Sequence, residues 1–122
     1  MLPSGTASAT TAQERTLHQM VNGARAAHGL RPLRLSQRIS RRAHRHSMKM
    51  ARSRTLFHSC VSCKYRSAGE NVGVARSMNR VHNMMMNSAH HRANILSTRF
   101  HRSGFGVVKR GGRYWVTEVF VG

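Results

Sequence analysis

The stretch FGVVKRGGRYWVTEVFVG, residues 105–122, holds two β-rich runs on either side of Gly111-Gly112. Paired glycines supply the positive φ angles that a tight hairpin turn demands, so the spacing predicts an antiparallel hairpin. Alternation along the second run sends Tyr114, Val116 and Glu118 to one face and Trp115, Thr117 and Val119 to the other. One of these faces must be buried, and Glu118 is expected to pair with a neighbouring arginine.

Upstream of the hairpin the pattern changes from strand to helix. TAQERTLHQMVNGARAAHG opens with Thr11 three residues before Glu14, the spacing of a capping box, and continues with Leu17, Met20, Val21 and Ala24 on one helical face. Gly29 ends this first helix and Pro32 keeps RPLRL extended. Ser36 begins a second helix in which Ile39, Ala43, His46 and Met50 form an apolar stripe, with His46 read as a satisfied core histidine. AGENVGVA, residues 68–75, reads as a short strand. Ser77 can cap a third helix with Val81, Met84 and Met85 as core filler, and AHHRANIL adds a further helical turn. Helices come first and the closing hairpin last, with no repeat period, which predicts an α+β layered domain rather than a βαβ nucleotide binder.

With 122 residues and 39% hydrophobic content, the chain suits one compact core. Its charge is extreme: 21 Lys and Arg against 3 acidic residues give a formal net charge of +18. There is no Asp, so Glu14, Glu70 and Glu118 are the only carboxylate side chains. A field of this sign concentrates polyanions, whether nucleic acid, teichoic-type polymer or anionic lipid headgroups, without choosing among them. Much of the charge lies on the second helix, where Arg38, Arg41, Arg42, Arg45, Lys49 and Arg52 form a candidate anion-binding ridge beside the apolar stripe. Mutual repulsion there makes the helix depend on packing or a bound anion.

No run approaches the roughly 18 apolar residues of a membrane span, and the N-terminus lacks the charged and apolar regions of a signal peptide. Residues 1–11 read as a flexible lead ahead of a domain covering residues 12–122. Cys60 and Cys63 form C-x-x-C, a spacing compatible with a local disulfide, two free thiols, redox chemistry or half a zinc knuckle.

Three collinear motifs, GENVG (69–73), NSAHHRANIL (87–96) and GFGVV followed by GGRYWV (104–116), resemble the bacterial branch of the CAP superfamily, the SCP-like or cysteine-rich secretory domains. The likeness extends upstream through L-R-P-L, A-x-x-H-S-x-x-M-A and F-H-S, and covers roughly residue 12 to the end. It implies a single-domain, three-layer α-β-α sandwich that is extracellular or associated with the cell envelope. It also implies a cleft in which His58, Glu70 and His91 face one another, a group associated with divalent cations such as zinc.

Two imidazoles and a carboxylate form a three-ligand set for such an ion, leaving a position open to water. The alternative is a hydrogen-bonded polar cleft without metal. The second glutamate of animal and fungal relatives is missing where this chain reads MMMNSAHH. His90 stands where the family has glycine and reads as an exposed helix-start histidine or an auxiliary ligand. Asn71 and Asn94 read as residues that fix the cleft loops through the backbone.

The resemblance implies a monomeric binding module for a lipid, an envelope polymer or a protein. One competing reading is a hydrolase in which the His-Glu-His group activates water, although no serine or cysteine sits in a nucleophile motif. Another is a nonspecific nucleic-acid binder, for which stacking aromatics and a docking element are lacking.

Overall fold

A computed structural model describes residues 10–122; most of the expected lead, residues 1–9, lies outside them. The first helix, α1, spans Ala12–Ala27 and starts with the capping box: Glu14 N–H donates to the Thr11 hydroxyl while the Glu14 carboxylate accepts from Thr11 N–H. Thr10 is buried and donates its N–H and hydroxyl to Gln37 Oε1, tying the start of α1 to the next helix. Gly29 takes a φ of 70° after α1.

A two-residue strand, β1 (Arg34–Leu35), leads into α2 (Gln37–Ser53), whose Ser36 cap accepts from Ile39 N–H. A loop with a 3₁₀ turn at Ser62–Lys64 follows, then strand β2 (Ala68–Ala75), helices α3 (Met78–Met86) and α4 (Ala89–Ile95), and the hairpin strands β3 (Arg102–Arg110) and β4 (Arg113–Val121). Gly111 and Gly112 take φ of 61° and 73°, as the hairpin turn requires. The four strands lie in the order β1-β3-β4-β2, with β1 parallel to β3 and the other pairs antiparallel.

The hydrophobic contacts divide into two sides. On one, Ile39 and Ala43 of α2 meet Val119 and Val121, and Met50 and Ala51 meet Trp115. On the other, Leu17, Val21, Val81, Met85 and Ile95 close over Phe105, Val107, Val116 and Phe120. The sheet is thus a middle layer, and the α+β architecture is an α-β-α sandwich. β4 is buried on both faces, from Trp115 through Val121, because it is an inner strand covered from both sides.

The glycines of GFG let α2 lie close to the sheet. A Cβ at Gly104 would collide with Ile39 and the Ser40 backbone, and one at Gly106 with the backbone of Ala43 and His44. The same contact is sealed by polar groups: Ser47 Oγ donates to Gly106 O, and Phe105 N–H donates to Ser40 Oγ. One core expectation fails. Val81 and Met85 are buried, but Met84 is 54% exposed, because only one flank of this short helix meets the other layers.

Candidate functional site

The candidate cleft begins where α2 stops. Arg54 closes the helix in the left-handed conformation, and the chain turns into an exposed loop carrying Phe57 and His58. His46, buried in the α2 stripe as expected, anchors that loop through a 2.6 Å bond between its Nε2 and Phe57 O and an edge-on ring contact with Phe57. The apolar-stripe histidine therefore sets the position of the cleft histidine.

His58 reaches Glu70 on β2 with Nδ1 2.7 Å from Oε1. Ser59 grips the same carboxylate twice, through its N–H at 2.9 Å from Oε1 and its hydroxyl on Oε2. Because a carboxylate accepts, His58 Nδ1 carries the proton, and in the neutral ring Nε2 is left as an acceptor. The His58 side chain is 66% exposed whereas that of Glu70 is 4% exposed, so a buried acid orients an imidazole at the surface.

Asn71 joins the GEN and R-A-N segments. Its Nδ2 donates to His91 O and to Glu118 Oε1, and its Oδ1 accepts from Asn94 Nδ2 at 2.9 Å. Asn94 Nδ2 also reaches Glu70 O at 3.4 Å, so each asparagine touches a backbone carbonyl of the cleft segments, the role read from the sequence. His91 itself has Nδ1 2.8 Å from Ser88 Oγ, and His90 is exposed.

The expected ligand set of His58, Glu70 and His91 is only partly assembled. Among the described residues, no three His, Cys, Asp or Glu side chains form a group able to hold a metal ion. Glu70 pairs with Val119, on the α2 side of the sheet, whereas Asn71 pairs with Glu118 and donates to the His91 carbonyl on α4. Both oxygens of Glu70 are also committed to Ser59 and His58. The zinc expectation does not fit these residues.

Cys60 and Cys63 are joined as a disulfide, which removes the free thiols needed for a zinc knuckle. Glu118 corrects a second expectation. It is fully buried and has no arginine partner; Asn71 occupies Oε1, and Oε2 is unpartnered among the described residues. Complete burial pushes its carboxyl up to about 7, with the Asn71 bond pulling the other way.

The cationic ridge lies on the solvent side of α2, with Arg42 half-buried and Arg38, Arg41, Arg45, Lys49 and Arg52 exposed. The two ion pairs among the described residues are His44–Glu14 and His58–Glu70, so neither neutralises the ridge. Arg42, Arg45 and Lys49 line a surface pocket with Ser59, Cys60 and Lys64. Lys64 was missed by periodicity because it lies in a loop. Ser59 is the link between the two features, lining the cationic pocket while holding Glu70.

The arrangement of motifs and layers has counterparts. The family model described as "CAP: Cysteine-rich secretory protein family" matches residues 18–121. The chain belongs to the CAP family. Its CAP domain is 29% identical over 128 residues to YkwD of Bacillus subtilis, covering 94% of this chain and 49% of that protein. The chain thus spans about half the length of that relative.

Among solved structures, an extracellular SCP-domain protein from Bacillus anthracis superposes with a TM-score of 0.77 at 23% identity, covering 88% of this chain and 39% of that one. An outer surface protein of Borrelia burgdorferi gives 0.76 at 19% identity, covering 87% and 89%. Both establish the shared fold. No helix among the described residues is long and apolar enough to cross a membrane.

Proposed function

We propose that this CAP domain is an extracellular or envelope-associated binding module, and that its α2 ridge and adjoining pocket engage a phosphodiester-bearing anionic partner. The observation that supports this most is the pocket of Arg42, Arg45, Lys49 and Lys64, which no carboxylate side chain lines. Cations packed this closely repel one another, and an anion relieves that repulsion while releasing its own counterions.

Ser59, which lines the pocket, joins it to the His58–Glu70–Ser59 cluster. In this reading the cluster positions a ligand and is not a catalyst. Two relatives are described as extracellular or outer surface proteins, and a Cys60–Cys63 disulfide suits an oxidising compartment; both favour placement outside the cytoplasm.

Sedimentation with phosphatidylglycerol and phosphatidylcholine vesicles at fixed salt tests the reading, with soluble polyphosphate as competitor. The anionic vesicles are expected to bind the domain selectively. Arg45→Gln/Lys49→Gln should reduce partitioning roughly 30-fold, at about 1 kcal/mol per cation near the surface. Arg76→Gln/Arg80→Gln should change it far less. Competition by polyphosphate points to a polymer, and persistence of vesicle binding points to the lipid surface. Equal binding to neutral vesicles, or equal losses in both variants, overturns the reading.

A further inference from the structure

Arg25 stands apart from the ridge, at the end of α1 on the opposite side of the sheet. It is 2% exposed. Its Nε donates to Arg31 O at 2.8 Å, and its Nη1 to Ile95 O at 2.9 Å and Ser97 O at 2.8 Å. These bonds satisfy three donors with neutral carbonyls and leave both hydrogens of Nη2 without a protein partner among the described residues.

A buried guanidinium is normally matched by a carboxylate, because carbonyl dipoles offset only part of the loss of water. No carboxylate among the described residues pairs with Arg25. Glu14 is engaged by Thr11, His44 and Val107, Glu70 by His58 and Ser59, and Glu118 by Asn71. Arg25 instead lines a cavity of about 340 Å³ with Leu30, Arg31, Thr98, Phe100 and His101. That volume lies within the range of small-ligand sites.

The lining combines two kinds of surface. Arg25, Arg31, His101 and the Thr98 hydroxyl supply charge and hydrogen-bond donors, whereas Leu30 and Phe100 supply an apolar wall. More than two donors from separate directions match a tetrahedral oxyanion better than a planar carboxylate, and guanidinium groups favour phosphate geometry.

We propose that this cavity binds a phosphate-type oxyanion, free or as the headgroup of a small phosphomonoester, with Arg25 Nη2 as its fixed anchor and Arg31, His101 and Thr98 around it. Arg25 is pre-organised: its three carbonyl bonds hold the guanidinium before any ligand arrives, so little side-chain freedom is lost on binding. The proposal is independent of the α2 ridge, since the two sites lie on different layers and share no residue.

Amide chemical-shift titration of the intact chain at constant ionic strength provides the test, using inorganic phosphate, phenyl phosphate and acetate. Saturable shifts are expected at Leu30, Thr98 and His101 for the phosphates, with acetate binding at least tenfold more weakly. Tighter binding of phenyl phosphate identifies an ester headgroup packed on Leu30 and Phe100, and equal binding identifies free phosphate.

Arg31→Gln/His101→Gln alters only exposed side chains and keeps the Arg31 carbonyl that holds Arg25, so the fold is retained; phosphate affinity should fall at least tenfold. Arg76→Gln/Arg80→Gln, which removes the same charge at residues lining neither site, should leave it unchanged. Shifts spread over the basic surface without saturation, acetate binding as well as phosphate, or equal losses in both variants would refute the site.

Discussion

Replacing Glu14 by glutamine tests whether one buried carboxylate joins three parts of the fold. Glu14 Oε1 accepts from Thr11 N–H at 3.0 Å, and Oε2 lies 2.6 Å from His44 Nδ1 and 2.9 Å from Val107 N. The residue is 2% exposed. Glutamine has nearly the same shape but only one oxygen. If that oxygen takes the Oε2 position, the amide NH₂ faces the Thr11 N–H and the cap bond is lost. The bonds from His44 and Val107 also fall from charge-assisted to neutral strength.

One lost cap bond and two weakened bonds amount to about 3 kcal/mol, or a fall in Tm of ~12 °C for a domain of this size. The effect has a pH signature. The Glu14 hydrogen bond raises the His44 pKa against a smaller opposing effect of burial. A histidine raised in the folded state contributes stability that is full below its unfolded pKa, about 6.5, and is lost as pH rises through the folded value. The stability gap between wild type and Glu14→Gln should therefore be widest below that point and narrow above it. Urea denaturation across this range measures both quantities. A gap below about 1 kcal/mol, or one that does not change with pH, refutes the assignment.

Two further perturbations probe the layers. Glu118 has its pKa raised to about 7 from 4.5, so the folded state holds its proton more tightly than the unfolded chain, and stability falls as pH climbs between those values. The urea midpoint of Glu118→Gln should gain on wild type from pH ~5 to ~8, and parallel curves would show that the carboxyl does not titrate there. Gly106→Ala puts a methyl into the Ala43 backbone and should cost about 3 kcal/mol in thermal denaturation, whereas Gly23→Ala, with open space around it, should stabilise by about 0.5–1 kcal/mol. Similar Tm values for the two glycine variants would mean that α2 does not pack this closely on β3.

Local chemistry carried most of the architecture. The Thr11–Glu14 box, the Ser36 and Ser77 caps, the Gly111-Gly112 turn and the apolar stripes of α1 and α2 all rest on residues within one or two turns of each other. Such signals survive in the bare sequence because the interactions behind them span few residues. Met84 was misplaced for the complementary reason: helical spacing defines a face, and only neighbouring elements determine how far round the helix that face is covered.

The site was legible in its parts and not in its assembly. His58 and Glu70 meet across twelve residues of sequence, as the F-H-S and G-E-N motifs led one to expect. Ser59 could have been noticed, since it directly follows His58, but its double grip on Glu70 depends on how the loop returns to the edge strand.

The sequence by itself determined the helices, the closing hairpin, the family pattern and a basic excess that no arrangement of three carboxylates can neutralise. Only the tertiary structure decided where those carboxylates go, because their partners lie up to 93 residues away. The fold committed both Glu70 oxygens to Ser59 and His58, and no three-ligand group forms among the described residues. Burial gave Glu118 an asparagine instead of an arginine, and left Arg25 charged beside a cavity with no acid to meet it.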